Sequence, residues 1–395
     1  VAVVGLGKSG TACVQALADA TEAVVSAWDA DERALEGIGD VDERGAAADP
    51  AALAEKALAW KPDVVIPAPA VPEVGPLFER AARAGVPVWS EIELAWRLRA
   101  FDGGRAAPWL CVTGTNGKTT AVSMAEAILD AGGLKGKAVG NVGNPAVAEV
   151  SRTDGGAAGA FAVELSSFQL RTTRTMSPLA SICLNIADDH LEWHGSREAY
   201  WAAKARVYDR VRSARVYPVG DRQVARMVEG APAGARTVGV TLGPPSAGQI
   251  GLVGDVVADR AYGAGRPDEA AELFTLQDLA HLAAGPGLPA HVVWDALAAA
   301  ALARAAGAPP ESVRRGLRDF APGRHRIETV ARVGGVAYVD DSKATNAHAA
   351  RACLASLEEG TAVWIVGGLA KGARFDGLVG GRARCNAAGQ IGKRD

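Results

Sequence analysis

A chain of 395 residues, at roughly 150 residues per domain, has room for two to three domains with sizeable cores. Its 42 Lys and Arg nearly balance 45 Asp and Glu, and 49% hydrophobic with 22% charged residues is an ordinary globular composition; this excludes a polybasic nucleic-acid binder and a disordered acidic chain. No apolar run reaches the ~18 residues of a membrane-crossing helix, so no membrane insertion is expected. Five scattered cysteines (Cys13, Cys111, Cys183, Cys353, Cys385) contain no Cys-x-x-Cys pair, which suggests neither a disulfide framework nor a zinc site and points to a reducing, cytoplasmic setting. The chain opens on the apolar run Val1 to Val4 with no charged leader and no initiating Met, so an export signal is not expected and residues before Val1 are expected to be missing.

Short apolar runs alternate with helix-like stretches, the pattern of parallel sheets covered by helices. In the first block, strands are predicted at Val1–Val4, Ala23–Trp28, Val64–Pro67 and Val86–Trp89. After the first of them, Gly5-Leu-Gly-Lys-Ser-Gly10 fits G-x-G-x-x-G, and Asp29 ends the next strand 19 residues beyond Gly10. Glycines let a diphosphate approach a helix N-terminus and a carboxylate can accept ribose hydroxyls, so NAD is one reading and another nucleotide diphosphate is the other. The turn-rich stretch Phe101–Pro108 is a predicted linker.

The next strand, Trp109–Thr113, runs into Gly114-Thr-Asn-Gly-Lys-Thr-Thr120, a phosphate loop. Backbone N–H groups from Gly114 to Lys118 can face phosphate oxygens, Lys118 can neutralise the β- and γ-phosphates, and Thr119 can hold Mg²⁺. Val112 stands where the strict pattern has its first glycine. Such a site needs a carboxylate at a neighbouring strand tip, and Glu164 is the first charge after the apolar run Ala160–Val163. A further strand is predicted at Ala180–Asn185, then a helix over Val292–Ala306 and another starting at Pro309-Pro310; strands at Val336–Val339 and Ala362–Val366 follow.

Thr113-Gly-Thr-Asn-Gly-Lys-Thr119, Glu164-Leu-Ser-Ser-Phe-Gln-Leu170 and Asn185-Ile-Ala-Asp-Asp-His190 resemble, in order and spacing, the Mur ligases of peptidoglycan synthesis, and most of all the members that add D-glutamate. Further matches are Tyr200-Trp-Ala-Ala-Lys-Ala-Arg206, His325-Arg326, Asp340-Asp-Ser-Lys-Ala-Thr-Asn346 and Gly367-Gly-Leu-Ala-Lys371. The resemblance implies an α/β architecture of three domains: a Rossmann-like UDP-substrate domain (1–103), a central P-loop ATPase-like domain (108–326) and an incomplete Rossmann-like amino-acid-binding domain (327–395). It implies a monomer that uses ATP to phosphorylate the carboxylate of UDP-N-acetylmuramoyl-L-alanine, after which the amine of D-glutamate attacks the acyl phosphate.

By the same resemblance, Gly114, Thr115, Asn116, Gly117, Lys118, Thr119 and Thr120 bind ATP, with Arg326 on phosphate and Asp341 near the ribose from the far side. Thr119 and Glu164 hold one Mg²⁺; His190 and Lys204, the latter carbamylated by CO₂, serve a second. Lys343, Thr345 and Lys371 receive the incoming amino acid and the reacting carboxylate. Ser9 and Gly10 take the diphosphate, Asp29 the uridine end, and Asn141 the acceptor. Read alone, His190 is a satisfied surface histidine and Lys204 a solvated helix lysine; a zinc reading of His190 with His194 lacks a third ligand.

Three departures stand against the family pattern. Ala68-Pro69-Ala70 replaces Ser-Pro-Gly in the first domain, Val292 and Asp295 replace two amides expected near the adenine, and the stretch after Leu378 lacks the strands and the D-glutamate loop of a full third domain. That last stretch is read as a short solvated end left by truncation or an altered frame. A non-catalytic nucleotide-binding remnant, or a ligase for another amino acid, therefore stays open as the alternative.

Overall fold

The structure, a computed structural model, describes residues 1–99, 106–152, 158–263, 269–283, 287–323, 328–344, 350–351, 353–354, 357 and 360–367, and the backbone alone of 385–391. Arg326, Thr345 and Lys371 lie outside the described residues, as does most of the predicted linker.

Four short strands, β1 (Ala2–Val4), β2 (Ser26–Asp29), β3 (Glu43–Ala46) and β4 (Val65–Pro67), form an all-parallel sheet in the order β3-β2-β1-β4. The chain leaves β1 with neighbours on both sides, so the Gly5 turn opens at the carboxyl ends where the strand order reverses, the place where open α/β sheets collect ligands. Gly5 has φ 90°, which a side chain adopts only under strain, and a Cβ on Gly10 would fall 1.9 Å from the Gly5 carbonyl oxygen. The predicted strand at Val86–Trp89 reduces to a single bridge between Val88 and Val65, because Pro87 has no N–H to donate and Ser90 already caps the next helix. The strand β3 was not predicted; its Glu43-Arg-Gly-Ala46 sequence is polar because it lies at the sheet edge.

The second sheet holds nine strands: β5 (Trp109–Thr113), β6 (Gly136–Gly140), β7 (Ala160–Glu164), β8 (Ala180–Cys183), β9 (Ala214–Pro218), β10 (Arg236–Thr241), β11 (Gln249–Val253), β12 (Val256–Asp259) and β13 (Ala271–Thr275), in the order β13-β12-β11-β10-β9-β8-β5-β7-β6. From β6 to β11 all pairs are parallel; β11-β12-β13 is an antiparallel extension that the expectation of wholly parallel sheets did not contain. Strand β5 is completely buried between β7 and β8, which places the loop after Thr113 at this sheet's own reversal point.

Helix Lys118–Ala131 follows that loop and packs under helices Ala290–Ala305 and Pro310–Arg318. The packing is close because small residues meet it: Ala298 to Ala301 are buried, and a Cβ on Gly316 would come within 2.5 Å of the Ile128 Cα. Helix Ala290–Ala305 is buried on nearly every side, which is why its alanine-rich sequence shows no polar stripe.

The first sheet and the second do not have fully separate cores. Cys13 and Leu17 from helix Lys8–Ala20, Ile92 and Leu94 from helix Glu91–Leu98, and Val147, Leu170 and Trp109 from the central part form one continuous apolar cluster. Trp96 meets Trp109 edge-on at 5.2 Å. A hairpin of β14 (Glu328–Val333) and β15 (Val336–Asp340) comes next, and β16 (Ala362–Gly367) pairs in parallel with β17 (Cys385–Ile391). The expectation of a strandless solvated end is therefore corrected: Cys385–Ile391 lacks apolar alternation, but its backbone pairs with β16. Among the described residues no helix is long and apolar enough to cross a membrane.

Candidate active site

Strand β5 ends at Thr113, and Gly114 (φ 151°) and Gly117 (φ 84°) turn the chain into helix Lys118–Ala131. A Cβ on Gly117 would sit 2.3 Å from Asp295 Oδ1, so glycine there is demanded by both conformation and space. Asn185, two residues past β8, clamps the loop. Its Oδ1 accepts from the N–H of Thr115 (3.1 Å) and of Asn116 (2.9 Å), while its Nδ2 donates to the Asn116 carbonyl (3.1 Å). Two of the N–H groups expected to face phosphate are thus turned onto Asn185, and the positive end of the helix that starts at Lys118 stands next to them, where an anion is favoured. The Thr115 hydroxyl lies 3.0 Å from Tyr200 Oη and accepts from the Ala187 N–H at 2.9 Å.

Lys118 Nζ donates to the carbonyls of Gly114 (3.0 Å) and Thr115 (2.9 Å), which holds the ammonium over the mouth of the loop. Thr119 Oγ1 donates to Glu164 Oε2 at 2.7 Å, and Asn141 Nδ2 donates to Glu164 Oε1 at 2.9 Å. Glu164 ends β7, which pairs with β5 so that Val112 faces Glu164 in register. That register is what brings the carboxylate beside the loop. Asn141 touches Glu164 directly, a contact the acceptor-binding expectation did not include.

Lys204, on helix Arg197–Ala205, is 2% exposed. Its Nζ donates to the Gly114 carbonyl (2.8 Å) and to Thr113 Oγ1 (3.3 Å), so neither partner is a carboxylate. Burial, reinforced by the nearby Lys118 charge, pulls its pKa down to about 7. The solvated-lysine reading is therefore overturned. His190 (φ 51°) is half exposed, faces Asp189 at 3.6 Å, and lies edge-on to Phe168 at 4.9 Å. His194 instead is buried, shares a 2.8 Å hydrogen bond with Ser167, and has its pKa pulled to about 4 by burial and by the His190 charge.

The phosphate loop (Thr115 to Thr120), Asn141, Glu164 and His190 line one open cavity of about 1380 Å³. Asp341 and Lys343, from just past β15, line it as well, and the charge of Asp341 acts on His291, which also lines it. Lys204 is not among the lining groups and sits beneath the loop. Among the described residues no three His, Cys, Asp or Glu side chains converge as a metal cage. The oxygens of Thr119 and Glu164 fit Mg²⁺ whose remaining ligands are phosphate oxygens and water, the usual way that ion is held.

In the first sheet's turn, Asp29 Oδ2 accepts from the Leu6 N–H at 2.5 Å and Oδ1 from the Asp31 N–H at 2.9 Å. Asp29 thus braces the glycine turn. Gly10 is buried against Gly5, whereas Ser9 is partly exposed on the first turn of helix Lys8–Ala20. Ala68, the first of the substituted triplet, packs where a Cβ on Gly5 would meet it at 2.8 Å.

The sequence reading assigned no role to Asn185, Tyr200 or Gln169. Asn185 had one usable signal, a polar side chain just past the end of an apolar strand beside the phosphate loop.

Residues 112–251 match the family model described as Mur ligase middle domain. The chain is 45% identical to the UDP-N-acetylmuramoylalanine–D-glutamate ligase of Streptomyces coelicolor, over 97% of this chain and 80% of that protein. It is 46% identical to the Thermobifida fusca protein of the same name, over 96% and 79%. Among solved structures, the murein peptide ligase of Psychrobacter arcticus superposes with a TM-score of 0.56 at 17% identity, covering 98% of this chain and 84% of that one. The MurF ligase of Thermotoga maritima in complex with ADP gives 0.54 at 14% identity, covering 85% and 77%. At such identities the structures establish the shared fold alone.

Proposed function

The chain belongs to the Mur ligase family, and from that premise we propose that it joins D-glutamate to UDP-N-acetylmuramoyl-L-alanine at the expense of ATP, in the cytoplasmic stage of peptidoglycan synthesis. A carboxylate resists attack by an amine because it is anionic and resonance-stabilised. Transfer of the γ-phosphoryl group to one of its oxygens releases ADP and creates an acyl phosphate; the amine then forms the amide bond and phosphate departs. Bringing the anionic acceptor and ATP together requires fixed positive charge.

The observation that carries this reading is that Glu164, Thr119 and Asn141 form one hydrogen-bonded cluster lining the same cavity as Lys118. Lys118, with the helix N-terminus behind it, holds the β- and γ-phosphates; Gly114 to Thr120 shape the cradle. Thr119 and Glu164 would hold one Mg²⁺, and His190 with a carbamate on Lys204 would serve a second. Magnesium supplies the charge that offsets the crowded phosphate oxygens. Asp341 and Arg326 would close on ATP, while Lys343, Thr345 and Lys371 would orient D-glutamate and the reacting acid. Ser9, Gly10 and Asp29 would seat the uridine diphosphate, with Asn141 at the acceptor's reactive end. Residues 1–103, 108–326 and 327–395 would be the three functional lobes, whose closure keeps water from the acyl phosphate.

The test is ADP release with UDP-N-acetylmuramoyl-L-alanine and each D- and L-amino acid in turn. Stimulation by D-glutamate alone is the expected result. A flat response to every amino acid would instead establish the non-catalytic reading.

A further inference from the structure

Glu91 opens the helix that follows the first sheet, Glu91–Leu98, yet its side chain is turned into the central part of the molecule and is 2% exposed. Its Oε1 accepts from the Val147 N–H at 2.7 Å. The Ala146 N–H and the Gln169 amide also lean on this carboxylate and favour its charged form, although Oε2 makes no hydrogen bond of normal geometry.

Val147 and Gln169 lie on the two segments that flank the metal-binding carboxylate. Helix Ala146–Val150 directly follows the loop of Asn141, whose N–H donates to the Glu164 carbonyl at 3.0 Å and whose Nδ2 donates to Glu164 Oε1 at 2.9 Å. That loop is closed by Gly140 N–H donating to the Asn144 carbonyl at 2.7 Å. On the other flank, Gln169 Oε1 accepts from Ser166 N–H at 3.0 Å, two residues beyond Glu164. One carboxylate from the first lobe therefore touches both supports of Glu164.

We propose that Glu91 is a positioning residue for the ligase reaction: it braces the Asn141 loop and the Ser166–Gln169 turn together, so that docking of the first lobe and alignment of Glu164 become a single event. The inference rests on Glu164 being a magnesium ligand, as read above. A buried polar side chain carries a desolvation cost that apolar packing at the same place would not, and an Ile or Leu at position 91 would suffice if only the seam needed filling. Supports one step removed from a metal ligand act by fixing its orientation, and their loss typically costs about 10–100-fold in metal affinity.

The experiment compares Glu91→Asp, Glu91→Gln and Glu91→Ala in the full chain. Retracting the carboxylate by one methylene in Glu91→Asp is expected to raise the half-saturating Mg²⁺ concentration about tenfold or more with a smaller change in kcat. Glu91→Gln keeps an oxygen for the Val147 N–H and is expected to restore most of the affinity. Amide exchange without substrates should show faster exchange across 141–150 and 164–169 in Glu91→Asp than in the wild type. Unchanged exchange there in both Glu91→Asp and Glu91→Ala would overturn the proposal, as would a Mg²⁺ requirement that stays at the wild-type value in a folded Glu91→Asp. Wild-type turnover with D-glutamate reports on the ligase reading separately, and the exchange measurement does not depend on it.

Discussion

Thr119 Oγ1 donates to Glu164 Oε2 at 2.7 Å, joining the first turn of one helix to the tip of a strand 45 residues later. Neither residue is unusual alone, since strand ends carry glutamates and phosphate loops carry threonines. In the proposed reaction their contact makes the glycine loop a place to hold a hard cation beside a triphosphate.

Replacing Glu164 by Gln removes the charge while keeping the shape. Turnover is expected to fall on the order of 10²–10³-fold, the usual loss when one electrostatic stabiliser is taken from a transition state. Steady-state ADP release over a magnesium titration checks it, with circular dichroism confirming the fold; turnover within threefold of wild type would remove Glu164 from the site.

Gly117→Ala meets two obstacles, a φ of 84° and Asp295 Oδ1 at 2.3 Å from the new Cβ. The backbone strain is expected to cost about 1–3 kcal/mol of stability, read by urea unfolding, together with a higher KM for ATP. Adding Asp295→Ala should relieve the collision but not the strained φ, so the double variant is expected to recover only part of the loss.

Lys204 is buried with its amine bonded to a carbonyl and a hydroxyl. Lys204→Arg keeps a cation but cannot take up CO₂, and turnover is expected to drop at least about 100-fold, as for loss of one transition-state stabiliser. Wild-type activity is expected to decline in CO₂-stripped buffer and to return when bicarbonate is added. Full activity after rigorous stripping would contradict the carbamate assignment.

Burial raises Glu91 to about 7 from an ordinary 4.5, against the opposing pull of the Val147 and Ala146 N–H groups and Gln169. The titratable group facing it is Cys13, whose thiol burial pushes well up. Because the folded-state pKa is the higher one, its contribution to stability is fully present below about pH 4.5 and is lost as pH rises through 7. Glu91→Gln, which never ionises, is therefore expected to gain on the wild type across that window, by up to ~3 kcal/mol at pH 8. Chemical unfolding at pH 5 and pH 8 gives the comparison; a difference that does not grow with pH would refute the buried-carboxylate account.

The phosphate loop and Glu164 could be read from sequence because each sits at the end of a contiguous apolar strand, where chain order and position in the fold coincide. The same reading could not reach contacts that depend on register between distant segments. Asn185 clamps Thr115 and Asn116 from 70 and 69 residues away, and Glu91 meets Val147 across 56. No local pattern encodes such distances. An edge strand escaped for a different reason: Glu43–Ala46 is polar because it lies at the rim of its sheet, while Cys385–Ile391 shows no alternation in its sequence. Lys204 was placed by resemblance, but its burial came only from the packing of helix Arg197–Ala205 beneath the loop.

In the proposed reaction the acceptor's own carboxylate oxygen takes the phosphoryl group before the amine attacks. Labelling that carboxylate of UDP-N-acetylmuramoyl-L-alanine with oxygen-18 and analysing the released phosphate by mass spectrometry follows the atom itself. Transfer of one labelled oxygen into phosphate, dependent on ATP and abolished in Lys118→Ala, is the predicted result; phosphate released without label during amide formation would contradict it.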